Sequence, residues 1–263
     1  MLYFFQLTFL ALITVLLSLA TILFGLFEAH GKRIYGINRL WTWLILRVGG
    51  ISLKVEGLDN IDPQRPYIFI VNHQSNIDIP VLVQALRPFQ LRWLAKKELL
   101  RVPFFGWAMW AAKHVTVDRK DPRDALKSLA RAKERLAAGI SLVVFPEGTR
   151  SRTGALQRFK KGGFLLAVQT QTPVVPIAIS GSGALLPADS WRLGSGIVKV
   201  VIEKPVAVEG FRPGNLRLLS NQVRDVIAGH LNHSIELARR DGESIEPSEP
   251  LRVRHQAMEK QGI

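Results

Sequence analysis

A chain of 263 residues with 48% hydrophobic content can bury a sizeable core, which excludes disorder as its main state. The lack of any cysteine excludes disulfides, thiolate metal sites and a cysteine-linked acyl intermediate. A net charge of +14 calls for an anionic partner, whether nucleic acid, anionic lipid or a phosphorylated metabolite or carrier.

Met1 to Phe27 carry no charge, and a helix of that length can cross about 30 Å of hydrocarbon. No Lys or Arg precedes the apolar run, and it is too long for the apolar region of a signal peptide. Lys32, Arg33, Arg39 and Arg47 follow it, which predicts an anchor in the inner (cytoplasmic) membrane with the rest of the chain on the cytoplasmic side. A second apolar stretch, NRLWTWLILRVGG (residues 38 to 50), leaves two arrangements open. In one, the first segment spans and the second packs as an ordinary core helix. In the other, both form a hairpin dipping into one leaflet, with Trp41 and Trp43 at the interface and the basic residues on anionic headgroups.

Residues 1–50 thus read as the anchor, residues 51–240 as a folded domain, and the polar residues 241–263 as a loose tail. Within the domain, short branched-residue runs at Tyr67 to Val71, His114 to Val117, Ser141 to Phe145, Val174 to Ile179 and Ile197 to Ile202 predict buried strands. The clearest helix runs from Pro122 to Ala138, with Asp121 as N-cap, an apolar face of Ala125, Leu129, Ala132 and Leu136, and Gly139 as the stop. Another is predicted from about Asn215 to Arg240. Alternating strands and helices imply an α/β fold: a mixed, largely parallel sheet flanked by helices, preceded by the membrane-anchoring helical segment.

The stretch VNHQSNIDIP (residues 71 to 80) follows the first strand, at the end where such sheets place their ligand crevice. On a continuous helix, His73 and Asp78 would point about 140° apart. A strand end, a turn and a helix start could bring them together, with Ser75 or Asn76 helping to cap the helix. The carboxylate would then hold one imidazole nitrogen and leave the other as a base. Of six histidines, only His73 has Asp at this offset, but the spacing alone equally fits a capped turn.

FPEGTRSRTG (residues 145 to 154) combines a tight loop, a glycine that permits close approach, and two arginines suited to phosphate, Arg150 and Arg152. Glu147 is expected to pair with or position one of those arginines. Two more basic clusters, AKKELLRVPFFG (residues 95 to 106) and VTVDRKD (residues 115 to 121), adjoin apolar structure. Together they point to a phosphate site built from several loops.

NHQSNID, KKELLRVPFFG, VDR, FPEGTRSR and the later VVPIAI resemble, in order and spacing, the motif blocks of the glycerolipid acyltransferases. The nearest resemblance is to the bacterial 1-acyl-sn-glycerol-3-phosphate acyltransferases, over about residues 50 to 205. The resemblance implies transfer of a fatty acyl group from acyl carrier protein or coenzyme A to the free hydroxyl of lysophosphatidic acid, giving phosphatidic acid without a cofactor. It implies His73 as base, Asp78 as its orienting partner, and phosphate contacts from Lys96, Arg119 and Arg150. Glu147, Gly148 and Thr149 fall in the block associated with acceptor binding, and Lys97 is not separable from Lys96 by sequence.

The residues fit this chemistry independently. Direct attack of a hydroxyl on a thioester needs a base, a neutralised phosphate and oxyanion donors, but no protein nucleophile. Backbone amides near the histidine loop, or Asn72, are candidate oxyanion donors. ISGSGA (residues 179 to 184) does not match a G-x-S-x-G nucleophile elbow. No metal-ligand spacing surrounds His114, and His230 and His233 read as surface or packing residues. Another lysolipid acceptor, such as a lyso-ornithine lipid, would suit the same machinery. A non-catalytic, membrane-tethered anion-binding protein is the competing class, though no aromatic stacking pattern or helix-turn-helix points to nucleic acid.

Overall fold

The computed structural model describes residues 2–27, 31–118 and 121–240; Arg119 and the predicted tail, 241–263, lie outside the described residues. Seven strands, β1 (Ile51–Glu56), β2 (Ile68–Val71), β3 (Leu91–Lys96), β4 (Val115–Val117), β5 (Ser141–Val144), β6 (Val174–Ser180) and β7 (Gly196–Ile202), form one sheet in the order β1-β7-β6-β2-β5-β3-β4. Every pairing is parallel except that of β6 with β7. The helices are α1 (Leu2–Gly25), α2 (Lys32–Val48), α3 (Asp78–Ala85), α4 (Phe105–Ala111), α5 (Pro122–Ala137), α6 (Gly162–Thr170), α7 (Ser182–Leu185) and α8 (Leu216–Arg240).

Central strands are apolar on both faces because both faces are covered. Phe69 and Val71 of β2 pack with residues of α2 and α3 on one side of the sheet. Ile68 and Ile70 pack with residues of α5, α6 and α8 on the other. All four are fully buried, and burial of each such side chain contributes about 1.5–3 kcal/mol.

All five predicted strands form, with ends shifted by a residue or so. The predicted helix ends also appear: the Asp121 side chain accepts the Arg123 amide at 2.9 Å, and Gly139 takes a left-handed φ of 75° just past α5. Two strands were not anticipated. β1 lies at the sheet edge, where Lys54 and Glu56 face water and pair with each other, so its sequence alternates with charge instead of running apolar. In β3 an arginine interrupts the run, and Arg92 is nevertheless buried, donating to the Leu91 carbonyl at 2.8 Å.

The first two helices lie antiparallel: the Gln6 side chain donates to the Val48 carbonyl, and the Trp41 indole donates to the Thr14 hydroxyl. Trp41 therefore sits inside the hairpin and not at the interface expected for it, while Trp43 is exposed. The opposite side of α2 is bound to the domain, with the Gln84 amide of α3 donating to the Arg39 carbonyl and the Thr42 hydroxyl, each at 2.8 Å. Phe4–Gly25 has a mean hydropathy of 2.6, yet Phe4, Phe9, Leu12, Leu16, Leu19 and Leu23 turn outward, away from the protein.

His114 shows how the polar chemistry of the interior is set. Its Nδ1 accepts the Trp93 amide at 3.2 Å, which requires the neutral ring. Desolvation, and secondly the charge of Arg92, push it down to about 3. Below its unfolded value of about 6.5, the unfolded chain binds a proton that the native ring refuses, so stability falls with falling pH down to about 3. Melting curves in detergent from pH 7 to pH 4 should show a loss approaching about 1.4 kcal/mol per pH unit from this group. His114→Gln should flatten the profile by that amount; an unchanged profile would contradict the assignment.

Candidate active site

β2, β5 and β3 are neighbours in the sheet, so the loops after their carboxyl ends share one rim. The loop after β2 carries His73. Backbone bonds from Asp78 to Ser75 and from Val81 to Ile77 turn the chain directly into α3. That turn brings Asp78 back under the imidazole, with His73 Nδ1 and Asp78 Oδ2 2.8 Å apart.

Asp78 is completely buried, and a buried carboxylate needs donors. Besides His73 Nδ1, its Oδ2 accepts the amides of Gln74 at 2.8 Å and Ser75 at 2.9 Å. Its place in the first turn of α3 also favours a negative charge. A carboxylate can only accept, so the neutral His73 ring carries its proton on Nδ1 and presents Nε2 as a base. The ring stacks on Phe145, with centroids 3.9 Å apart and planes at 13°, and Phe145 in turn stacks on Trp93 at 5.8 Å. These aromatics, which the sequence reading passed over, fix the plane of the ring from below; the Phe of FPEGT was the available signal.

Ser75 and Asn76 do not cap α3: its N-cap is Ile77, with no side-chain capping bond. The Ser75 hydroxyl instead accepts the Ile77 amide and donates to the Leu186 carbonyl at 2.7 Å, so it is engaged in holding the loop. Asn72 is not placed as an oxyanion donor either. Its side chain is buried and extends the sheet by bonding both the carbonyl and the amide of Ile179 at 2.8 Å. The amides of His73, Gln74 and Ser75 are likewise taken by carboxylates.

Glu147 departs from its expected pairing with an arginine. It is buried and bridges two loops, Oε1 accepting the His73 amide at 2.7 Å and Oε2 the Gln157 amide at 2.9 Å. Burial pushes its carboxyl up, and those two amides partly offset this. Gly148 makes the turn that follows, at φ 78°, a left-handed conformation costly to other residues. Thr149 is exposed, its hydroxyl donating to the Gln157 side chain at 3.4 Å.

The two lysines now separate. Lys97 pairs with Asp124 at 3.3 Å, while Lys96 forms no ion pair with the described residues. The two arginines separate in the same way. Arg152 pairs with Asp189 at 3.1 Å, and Arg150 has no ion-pair partner among the described residues. Lys96 ends β3 and Arg150 follows β5, so both cations belong to the rim that carries His73. Away from it, His230 pairs with Glu203 at 2.5 Å, beside the sheet.

The chain is similar to known proteins. Residues 52–180 match the family model described as Acyltransferase. The chain is 40% identical to 1-acyl-sn-glycerol-3-phosphate acyltransferase of Pseudomonas aeruginosa over 66% of this chain and 67% of that protein. It is 34% identical to 1-acyl-sn-glycerol-3-phosphate acyltransferase alpha of Bos taurus over 80% of this chain and 74% of that protein. The crystal structure of the 1-acyl-sn-glycerophosphate (LPA) acyltransferase PlsC from Thermotoga maritima superposes with a TM-score of 0.71 at 27% identity, covering 87% of this chain and 93% of that one.

Glu147→Gln is a sharp test of the bridge, because it turns an amide N–H group toward one of the two backbone amides that now find an oxygen. Leaving one buried donor unpaired should lower stability by about 1–3 kcal/mol, read from chemical denaturation in detergent. An unaltered midpoint would show that the bridge does not hold the loops.

Proposed function

Because the chain belongs to the 1-acyl-sn-glycerol-3-phosphate acyltransferase family, we propose that it acylates the sn-2 hydroxyl of lysophosphatidic acid from an acyl thioester, giving phosphatidic acid. The observation that carries the mechanism is the His73–Asp78 pair, in which Asp78 engages Nδ1 and, among the described residues, no serine or threonine hydroxyl hydrogen-bonds the ring. Ser75, the nearest hydroxyl in sequence, is engaged at both ends, and the chain has no cysteine.

His73 Nε2 takes the proton of the acceptor hydroxyl as its oxygen attacks the thioester carbonyl. The tetrahedral intermediate collapses with breakage of the C–S bond, and the proton held on Nε2 passes to the leaving thiolate. Asp78 keeps the ring in the required tautomer and stabilises the imidazolium. Lys96 and Arg150 hold the acceptor phosphate, and Arg119 is assigned to the same phosphate by the VDR motif alone. Glu147 and Gly148 act on the acceptor indirectly, by shaping the loop that presents Arg150.

The hairpin supports attachment to one leaflet of the inner membrane, with the domain on the cytoplasmic side. α2 is bonded along one side to α1 and along the other to α3, so α1 lies beside the domain instead of projecting from it. Its outward apolar side, with Trp107 and Trp110 exposed on α4, presents one surface to lipid. A protein read this way draws its acceptor from the bilayer and its donor, acyl carrier protein or coenzyme A, from water.

Thiol release from acyl-coenzyme A or acyl carrier protein, with and without lysophosphatidic acid, tests the reaction. His73→Ala should lower kcat by about 10²–10⁴-fold. Lys96→Ala and Arg150→Ala should each raise KM for lysophosphatidic acid by about tenfold, and a lyso-ornithine lipid, which lacks the phosphate, should be a poor acceptor. Near-normal turnover by His73→Ala would sink the mechanism; preference for the phosphate-free lipid would sink the acceptor assignment. In inside-out vesicles, a tag placed before Met1 should be digested from the same side as the domain, whereas protection of the tag would mean that α1 spans.

A further inference from the structure

Behind the FPEGTR loop, on the α6 and α8 side of the sheet, is a cleft of about 360 Å³ that the mechanism does not use. Arg158, Lys161, Arg217 and Arg224 line it, together with the neutral hydrogen-bonding groups of Ser220 and Asn221. Among the described residues, Arg158, Lys161 and Arg217 have no ion-pair partner, and Arg224 pairs with Asp225 at 3.8 Å. A solvated basic face would spread its charge; here four cations converge on one concavity with no carboxylate in its lining.

Two features tie this cleft to the catalytic rim. Arg224 donates to the Leu156 and Gln157 carbonyls at 3.3 and 3.5 Å, and the Gln157 amide is one of the two that Glu147 bridges. The other is that of His73, so a single carboxylate joins the wall of the cleft to the base-bearing loop. The cleft also lies on the opposite side of the sheet from α2 and α3, which carry the membrane-facing hairpin. A ligand reaching His73 through it comes from water, as the donor does and the acceptor does not.

On the acyl-transfer reading above, we infer that this cleft binds the phosphate of the donor's phosphopantetheine arm, a group that acyl carrier protein and coenzyme A share. The arm then runs over the Leu156–Gln157 segment and delivers the thioester to His73 from the side opposite the bilayer. Donor and acceptor phosphates are held by separate cation sets, Arg158, Lys161, Arg217 and Arg224 for one and Lys96 and Arg150 for the other. Each substrate therefore has its own approach, and neither must leave for the other to bind.

The test uses the full chain in phospholipid–detergent micelles at saturating lysophosphatidic acid, with acyl-coenzyme A, acyl-acyl carrier protein and acyl-pantetheine, which lacks the phosphate, as donors. Arg158 and Arg217 are both exposed, so Arg158→Glu/Arg217→Glu should melt with the wild type. The double variant should raise KM for both phosphate-bearing donors by at least about tenfold, while kcat and KM for lysophosphatidic acid stay within about twofold. Transfer from acyl-pantetheine should be unaffected, and Arg158→Lys/Arg217→Lys should behave as wild type. Donor KM values within about twofold of wild type would overturn the assignment. So would an equal loss with acyl-pantetheine. An effect confined to acyl carrier protein would move the contact to an acidic protein surface, and one confined to coenzyme A to its nucleotide phosphates; either overturns the shared phosphate. A wild type that transfers from none of the three donors would sink the acyl-transfer reading itself.

Discussion

A fully buried carboxylate cannot stay charged without donors, and the rim of this protein is organised around two such groups. Asp78 draws the amides of Gln74 and Ser75 and the Nδ1 of His73 onto one oxygen, which curls the loop after β2 and sets the imidazole at its mouth. Glu147 takes the amide of His73 from below and that of Gln157 from the neighbouring loop. His73 thus sits on a backbone whose amides, its own and those of Gln74 and Ser75, are already committed, and removing either carboxylate strands N–H groups instead of merely losing a charge. The same commitment takes the amides of His73, Gln74 and Ser75 out of reach of a developing oxyanion, as the bonds to Ile179 do for the Asn72 side chain.

The sheet separates two environments. On one side α2 and α3 carry the apolar hairpin, and the exposed aromatics of α4 continue that surface. On the other, α5 and α8 turn charged faces to water, and the uncharged α6 packs between them and the sheet. His73 lies at the rim between them, on the loop after β2. Part of the +14 charge is gathered in two local cation sets, Lys96 with Arg150 at the rim and Arg158, Lys161, Arg217 and Arg224 around the cleft.

Much of this was legible in the sequence because the signals are local. The runs that become β2, β5 and β6 are short, branched and bounded by breakers, and Asp121, Pro122 and Gly139 mark the ends of α5 by backbone chemistry that depends on no distant partner. β1 and β3 escaped because their character is set by place: an edge strand can alternate with charge, and Arg92 is tolerated in β3 because the fold supplies its surroundings. Residue roles failed for a similar reason. Glu147 lies three residues from Arg150, yet its partners are amides 74 residues back along the chain and ten ahead.

By itself the sequence determined that this is an α/β domain with an apolar N-terminal helix, no cysteine thiols, and a histidine with an aspartate at an offset that a strand–turn–helix can close. These follow from composition, periodicity and neighbouring residues. Only the tertiary structure decided which of Lys96 and Lys97, and of Arg150 and Arg152, is left without an acidic partner among the described residues, that Trp41 faces α1, and that Phe145, backed by Trp93, stacks on the imidazole. An ion pair or ring stack is settled by which side chains converge in space, and residues that converge here are up to tens of positions apart in the chain.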